Sequence, residues 1–207
     1  MRIIKPLFLL LTGVIFFNTN SYAQTQSVKP GDKAPLFELK SVDGKMISFN
    51  SYPSAKGFVV VFMANSCPYS RAYEQRIVEL HKQFAPLHYP VVAINSNDPK
   101  LSSSDSFIKM KERAKARHYS FPYLSDDQQI VADLYGARST PQVFIIVKKE
   151  DDYVIAYTGA IDNDASNKNP QKTNYASDAL NALVNNQKPA IASTRAIGCS
   201  ITRKKKG

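Results

Sequence analysis

The run Phe58-Val-Val-Val-Phe-Met63 constrains the fold more than any other feature of this chain. Every side chain in it is apolar, and most are β-branched or aromatic. Such a strand has no face to give to water, so it belongs inside a sheet covered on both sides. Cys67-Pro68 follows closely and opens a helix, since proline at the first helical position lacks only an N–H that would have had no partner. Tyr69, Tyr73, Ile77, Leu80, Phe84 and Leu87 then recur at helical spacing, with Arg71, Glu74, Gln75 and Lys82 off that stripe. Residues 91–95 form a second strand of the buried type. Strand, helix and strand in this order predict a β-α-β unit with parallel strands and a right-handed crossover.

The flanking segments extend this unit. Residues 30–35 read as a loop. Residues 37–40 and 46–49 alternate in polarity around the turn signal Asp43-Gly44, which predicts an N-terminal β-hairpin. Further helices are expected over residues 105–116 and from Ser125, where Ser125-x-x-Gln128 resembles a capping box, to about Tyr135-Gly136. Residues 143–147 and 153–157 predict two strands joined by a charged turn. A last helix carries Ala176, Leu180, Leu183 and Val184 on one face. The whole reads as one α/β domain over residues 24–188, with a central mixed sheet flanked by helices.

Charge sorts the two ends from the body. The formal net charge is +10. Two of those charges lie in residues 1–23 and five in residues 195–207, which leaves +3 for residues 24–194. The body is nearly balanced, so no nucleic-acid partner is expected. Residues 1–23 read as a signal peptide: Arg2 and Lys5, an apolar run over 7–17, and Ser21-Tyr22-Ala23 before a cleavage point. The mature protein is therefore expected to be exported, periplasmic or extracellular, where disulfides persist. Residues 189–207 read as a basic tail carrying Cys199. A solvated tail is the expectation, with weak contact to an anionic surface as the alternative.

Chemistry concentrates at Cys67. A thiol after a central strand and at a helix start sits where helical N–H groups and the macrodipole favour a thiolate. A small buried hydrophobe is the competing reading at a generic position. Ser139-Thr140-Pro141 stands directly before a buried-type strand, where proline is allowed and a Thr-Pro bond can be cis.

These pieces resemble the thioredoxin-like redoxins of the alkyl hydroperoxide reductase C/thiol-specific antioxidant (AhpC/TSA) group. The strongest is Val59-Val-Val-Phe-Met-Ala-Asn-Ser-Cys-Pro-Tyr69, which is similar to a branch reading Cys-Asn-His-Cys-Pro-Tyr. Gly31-Asp-Lys-Ala-Pro35, Ala93-Ile-Asn-Ser-Asn-Asp98, Tyr135-Gly-Ala-Arg-Ser-Thr-Pro141, Tyr157-Thr-Gly-Ala-Ile-Asp162 and Gly198-Cys-Ser-Ile201 agree in order. The resemblance implies a thioredoxin-like fold with Pro141 as a cis-proline facing the redox cysteine. It also implies a thiol-dependent oxidoreductase acting on disulfides or peroxides, with Cys67 reactive. Its substrate groove is shaped by Pro68, Thr140 and Pro141, with Arg138 close by. Thr140-Pro141 would pair its backbone with a peptide substrate.

The chain departs from the family at one decisive position. Ala64 stands where the first cysteine of Cys-x-x-Cys belongs, so no disulfide can form within the motif. In a peroxiredoxin alignment Val60 and Ala64 stand where proline and threonine belong, and Arg138 is not equivalent to the peroxide-polarising arginine. Cys199 is the only other thiol. An extended chain of about a dozen residues beyond the last helix reaches about 40 Å, so distance is no obstacle. Three arrangements are open. Cys199 can resolve Cys67. The two can form a permanent bridge, whose long loop would stabilise by about 4–5 kcal/mol. Both can stay free, with small thiols resolving Cys67. The rival class is a redox-inactive binding module that kept the fold and lost the dithiol. No nucleotide motif or metal-ligand spacing occurs, so no cofactor or metal is expected; His81, His88 and His118 read as solvated, and Asp126-Asp127 as turn or cap acids.

Overall fold

A computed structural model describes residues 27–205; the signal-peptide reading of residues 1–23 lies outside them. The chain runs β1 (Glu38–Ser41), β2 (Met46–Ser48), β3 (Gly57–Phe62), α1 (Pro68–Phe84) and β4 (Val91–Asn95). It continues through α2 (Phe107–Ala116), β5 (Tyr123–Ser125), α3 (Ile130–Tyr135), β6 (Ser139–Thr140) and β7 (Gln142–Lys149). It ends with β8 (Asp152–Gly159), α4 (Tyr175–Val184) and β9 (Cys199–Ser200). Among the described residues seven strands make one mixed sheet in the order β2-β1-β5-β4-β3-β7-β8, and β6 and β9 pair separately.

The expected β-α-β unit is present, with β3 and β4 parallel and Val59 opposite Val91. All six residues of β3 are buried, as a strand apolar on both faces requires. Alternate side chains serve two cores. Val59 and Val61 face Ile77, Phe84, Met110 and Leu180 from α1, α2 and α4. Phe58, Val60 and Phe62 face Val131, Ala132 and Tyr135 of α3 and the hairpin residue Ile47. The N-terminal hairpin joins the sheet through β5, which pairs with β1 and runs parallel to β4.

Several local expectations shift. The helix read from residue 105 starts at Phe107, because Asp105 turns inward as a buried acceptor. The helix read from Ser125 starts at Ile130. Asp126 does the capping instead, its carboxylate accepting from the N–H groups of Val131 at 3.2 Å and Ala132 at 2.9 Å. Glu74, off the apolar stripe, is buried and accepts from Arg113 and Tyr119. Tyr69 and Leu87, on that stripe, are exposed. His81 is half-buried rather than solvated: its Nδ1 accepts from Val91 N–H at 3.2 Å, and burial pushes its pKa down.

The largest difference concerns the C-terminal segment. Through residue 205 it is not a solvated tail. Thr194 N–H donates to the Thr158 carbonyl of β8 at 3.0 Å, and its hydroxyl accepts from Ala160 N–H at 2.9 Å. Further along, Ile201 is 5% exposed in the α3-side core. Thr202 N–H donates to Asn97 Oδ1 at 2.8 Å, and Asp98 N–H donates to the Thr202 carbonyl at 2.9 Å. Arg203 pairs with Asp133 at 2.7 Å and donates to the Ala137 carbonyl at 2.6 Å. The charge pattern suggested solvent; the interspersed Thr194, Ile201 and Thr202 supply the docking.

Candidate active site

The site begins where β3 ends. Met63 N–H still reaches the Ile94 carbonyl at 2.9 Å, so the chain leaves the sheet in register with β4. Ala64 N–H then donates to Ser70 Oγ at 3.2 Å, and the next two residues are held by Asp105. Its carboxylate accepts from Asn65 N–H at 2.6 Å and from Ser66 Oγ at 2.6 Å. It also accepts from Asn95 and Asn97 side-chain amides, each at 2.9 Å, and from Ser102 Oγ at 2.6 Å. Burial pushes the Asp105 carboxyl up, but the hydrogen bonds from Ser102, Ser66, Asn97 and Asn95 outweigh it and hold the pKa below the ordinary value. Asn65 is fixed again by Tyr123, whose hydroxyl donates to Asn65 Oδ1 at 3.1 Å.

This buried polar frame delivers Cys67 to the N-cap of α1, with Pro68 exposed at the first helical position. Cys67 is 2% exposed. Its Sγ accepts from Ser70 N–H at 3.4 Å, within the wider reach of sulfur, and its thiol donates to the Thr140 carbonyl at 2.9 Å. Thr140 and Pro141 are buried and joined by a cis peptide bond. The expected cis-proline therefore faces the cysteine. Arg138 meets the site through its backbone: its N–H donates to Gln142 Oε1 at 2.9 Å and its carbonyl accepts from Ile201 N–H at 3.0 Å.

Cys199 completes the group. β9 runs antiparallel to β6, with Thr140 opposite Cys199 and Ser139 opposite Ser200. That register sets the Cys199 thiol against Cys67, and both cysteines are free thiols. Burial pushes the Cys67 thiol up. Hydrogen bonds to its thiolate from the Cys199 and Thr140 side chains and from Ser70 and Cys199 N–H groups outweigh burial and hold it below its ordinary value. The Thr140 carbonyl works the other way, since it accepts only from the thiol. Cys199 is pushed up to about 11 by burial, by its hydrogen bond to Cys67 and by the Cys67 charge. In neutral solution Cys199 thus keeps its proton and offers it to the other sulfur.

The approach of β9 depends on Gly198. A Cβ there would lie 2.1 Å from the Thr140 carbonyl oxygen and 2.6 Å from its carbon. Both are backbone atoms next to the cis-proline, so only glycine fits this closeness. Cys67, Pro68, Thr140, Pro141 and Cys199 thus converge, with Arg138 at the margin. The sequence reading placed Asp105 only at a helix start and Gly198 only within the Gly198-Cys-Ser-Ile201 piece, not in the site. The signal for Asp105 was faint but present: Asn95 ends an otherwise apolar strand, and the polar Asn97 and Ser102 follow within seven residues. Among the described residues no group of three or more His, Cys, Asp or Glu could hold a metal ion.

A thiol capping the helix after a central parallel strand, facing a cis-proline ahead of an antiparallel strand, defines a thioredoxin-like redoxin. The chain belongs to the AhpC/TSA family, whose model matches residues 30–156. A relative named thiol-disulfide oxidoreductase ResA from Halalkalibacterium halodurans is 25% identical over 146 residues, covering 70% of this chain and 77% of its own. The crystal structure of an uncharacterized conserved protein from Geobacillus kaustophilus superposes with a TM-score of 0.79 at 33% identity, covering 86% of this chain and 94% of that one. Peroxidoxin BcpB from Mycobacterium tuberculosis superposes with a TM-score of 0.51 at 25% identity, over 63% of this chain and 84% of its own.

Proposed function

We propose that this protein is an exported thiol-dependent oxidoreductase that reduces peroxides or disulfides with Cys67 as nucleophile and Cys199 as resolving thiol. The observation that carries the reading is the register of β6 with β9, which sets Cys199 against Cys67 across Thr140. Ala64 stands in place of the motif's first cysteine, and β9 returns a second thiol from another part of the chain. Export rests on the sequence of residues 1–23.

The chemistry has two steps. The Cys67 thiolate attacks an oxidant, either the O–O bond of a hydroperoxide or the S–S bond of a disulfide. Cys199 then attacks the modified Cys67 sulfur, releasing water from a sulfenic acid or a thiol from a mixed disulfide. A Cys67–Cys199 disulfide results. A thiol reductant returns both sulfurs to the reduced state.

The test uses the reduced mature protein. One equivalent of hydrogen peroxide or of a disulfide is added, followed by alkylation and non-reducing peptide mapping. The expected product is a Cys67–Cys199 disulfide, absent in Cys67→Ser. Alkylation of Cys67 with an ordinary thiol midpoint and no sulfenate or disulfide would instead assign a binding module with idle cysteines, the reading that Ala64 favours. A bridge already present on purification and resistant to mild reductants would assign a structural staple.

A further inference from the structure

In a domain of this shape the backbone at Ser139-Thr140 is the free edge beside the redox cysteine, the place where an extended polypeptide substrate would pair. Here that edge is taken. β9 pairs with both residues, in register, from within the same chain. It is not loosely laid. Gly198 brings the backbones closer than any other residue would allow. Ile201, two residues beyond Cys199, is buried in the α3-side core. Asn97, Asp98, Gln129 and Asp133 hold the residues that follow through hydrogen bonds of 2.7–2.9 Å.

We infer that β9 occupies the peptide-pairing edge as a fixed part of the site, so that the oxidising substrate of Cys67 is a small hydroperoxide rather than a disulfide within an extended polypeptide. The inference rests on the proposed oxidoreductase reading and names its substrate class. An extended peptide needs the main-chain groups of Ser139 and Thr140 for alignment, and it needs room over Cys67. Both are filled while β9 is docked, and Cys67 is 2% exposed. A hydroperoxide needs neither a strand edge nor a long cleft.

The step balances within the site. The Cys67 thiolate forms an S–O bond as the O–O bond breaks. The sulfur is oxidised by two electrons, and the departing hydroxide or alkoxide takes a proton and leaves as water or alcohol. The Cys199 sulfur then displaces the hydroxyl of the sulfenic acid, which leaves as water with the Cys199 proton. A polypeptide disulfide would require β9 to leave first, and would thereby lose the resolving thiol from its place.

The test compares two oxidants on two full-length mature proteins, wild type and Gly198→Val. The oxidants are hydrogen peroxide and the disulfide-linked dimer of a ten-residue extended peptide, and the readout is the rate of loss of the free Cys67 thiol. Wild type is expected to react with hydrogen peroxide and to react with the peptide disulfide at least tenfold more slowly than Gly198→Val does. Ile201→Glu, which removes a β9 anchor remote from the helix start, is expected to reproduce the gain should Gly198→Val fold poorly. Equal peptide rates in wild type and both variants would overturn the inference and leave the oxidoreductase reading in place. Reaction with neither oxidant in any form would overturn both.

Discussion

Replacing Asp105 by asparagine tests what holds the redox cysteine in place. The carboxylate is 3% exposed and accepts from five residues: Asn65, Ser66, Asn95, Asn97 and Ser102. The substituted amide would keep one acceptor oxygen and turn an NH2 group towards these donors. At least two donors would then lack an acceptor, at about 1–3 kcal/mol each. The expected loss of stability is about 3–4 kcal/mol, read as the shift in urea unfolding. The pH dependence gives an independent check. Because the folded-state pKa is depressed, the stabilisation is present above the unfolded value of about 3.9 and is lost as pH falls through the folded value. The variant should lack this acid-dependent component. Because Asp105 fixes Asn65 and Ser66, directly before Cys67, peroxide-dependent oxidation of Cys67 should also slow in the folded variant. A loss of less than about 1 kcal/mol, with an unchanged acid limb, would refute the view that this carboxylate organises the site.

Three further outcomes follow from the geometry. Cys199→Ala should move the alkylation midpoint of Cys67 upward, because the Cys199 thiol is among the donors that lower it and alanine has none; a pH series with a thiol-alkylating reagent reads the midpoint. Gly198→Ala should push β9 off Thr140 and weaken the Cys67–Cys199 disulfide in a glutathione redox titration by about tenfold or more, the equivalent of about one lost backbone hydrogen bond. Arg76→Met should cost about 1.5–3 kcal/mol in urea unfolding, because the buried Asp162 loses a charged donor at 2.5 Å while Lys172, at 3.2 Å, still compensates its charge. It should leave the Cys67 midpoint unchanged.

The centre of the fold was legible because its signals are local. Residues 58–63 could only be an interior strand, and β3 occupies residues 57–62; Cys67 and Pro68 cap and open α1 as proline chemistry predicts. The short strand β5 escaped because three residues carry too little periodicity to separate from a loop. Glu74 misled because helical position alone does not reveal that Arg113 and Tyr119 will come to cover it. The site was half legible. Cys67, Thr140 and Pro141 stand out by their immediate neighbours. Cys199 was visible only as a second thiol, because its place depends on a pairing across 59 residues that no local pattern encodes. Charge composition pointed the C-terminal segment towards water, whereas its threonines and Ile201 decide its fate through contacts with distant strands.

The position of Cys199 sets an order of events. A chain is made from its N-terminus, and residues 67 and 199 are separated by 132 positions. At about 5–20 residues per second, Cys67 exists for about 7–26 s before its mate has been added. Throughout that interval the thiol at the helix start has no internal partner, and for the last 59 residues of it, about 3–12 s, Thr140 exists without the strand that will cover it. The finished molecule is closed to long peptides; its own growing form is not. β9 therefore acts as the last stitch, and until it is drawn in, the nascent protein presents the open cleft that its mature state conceals.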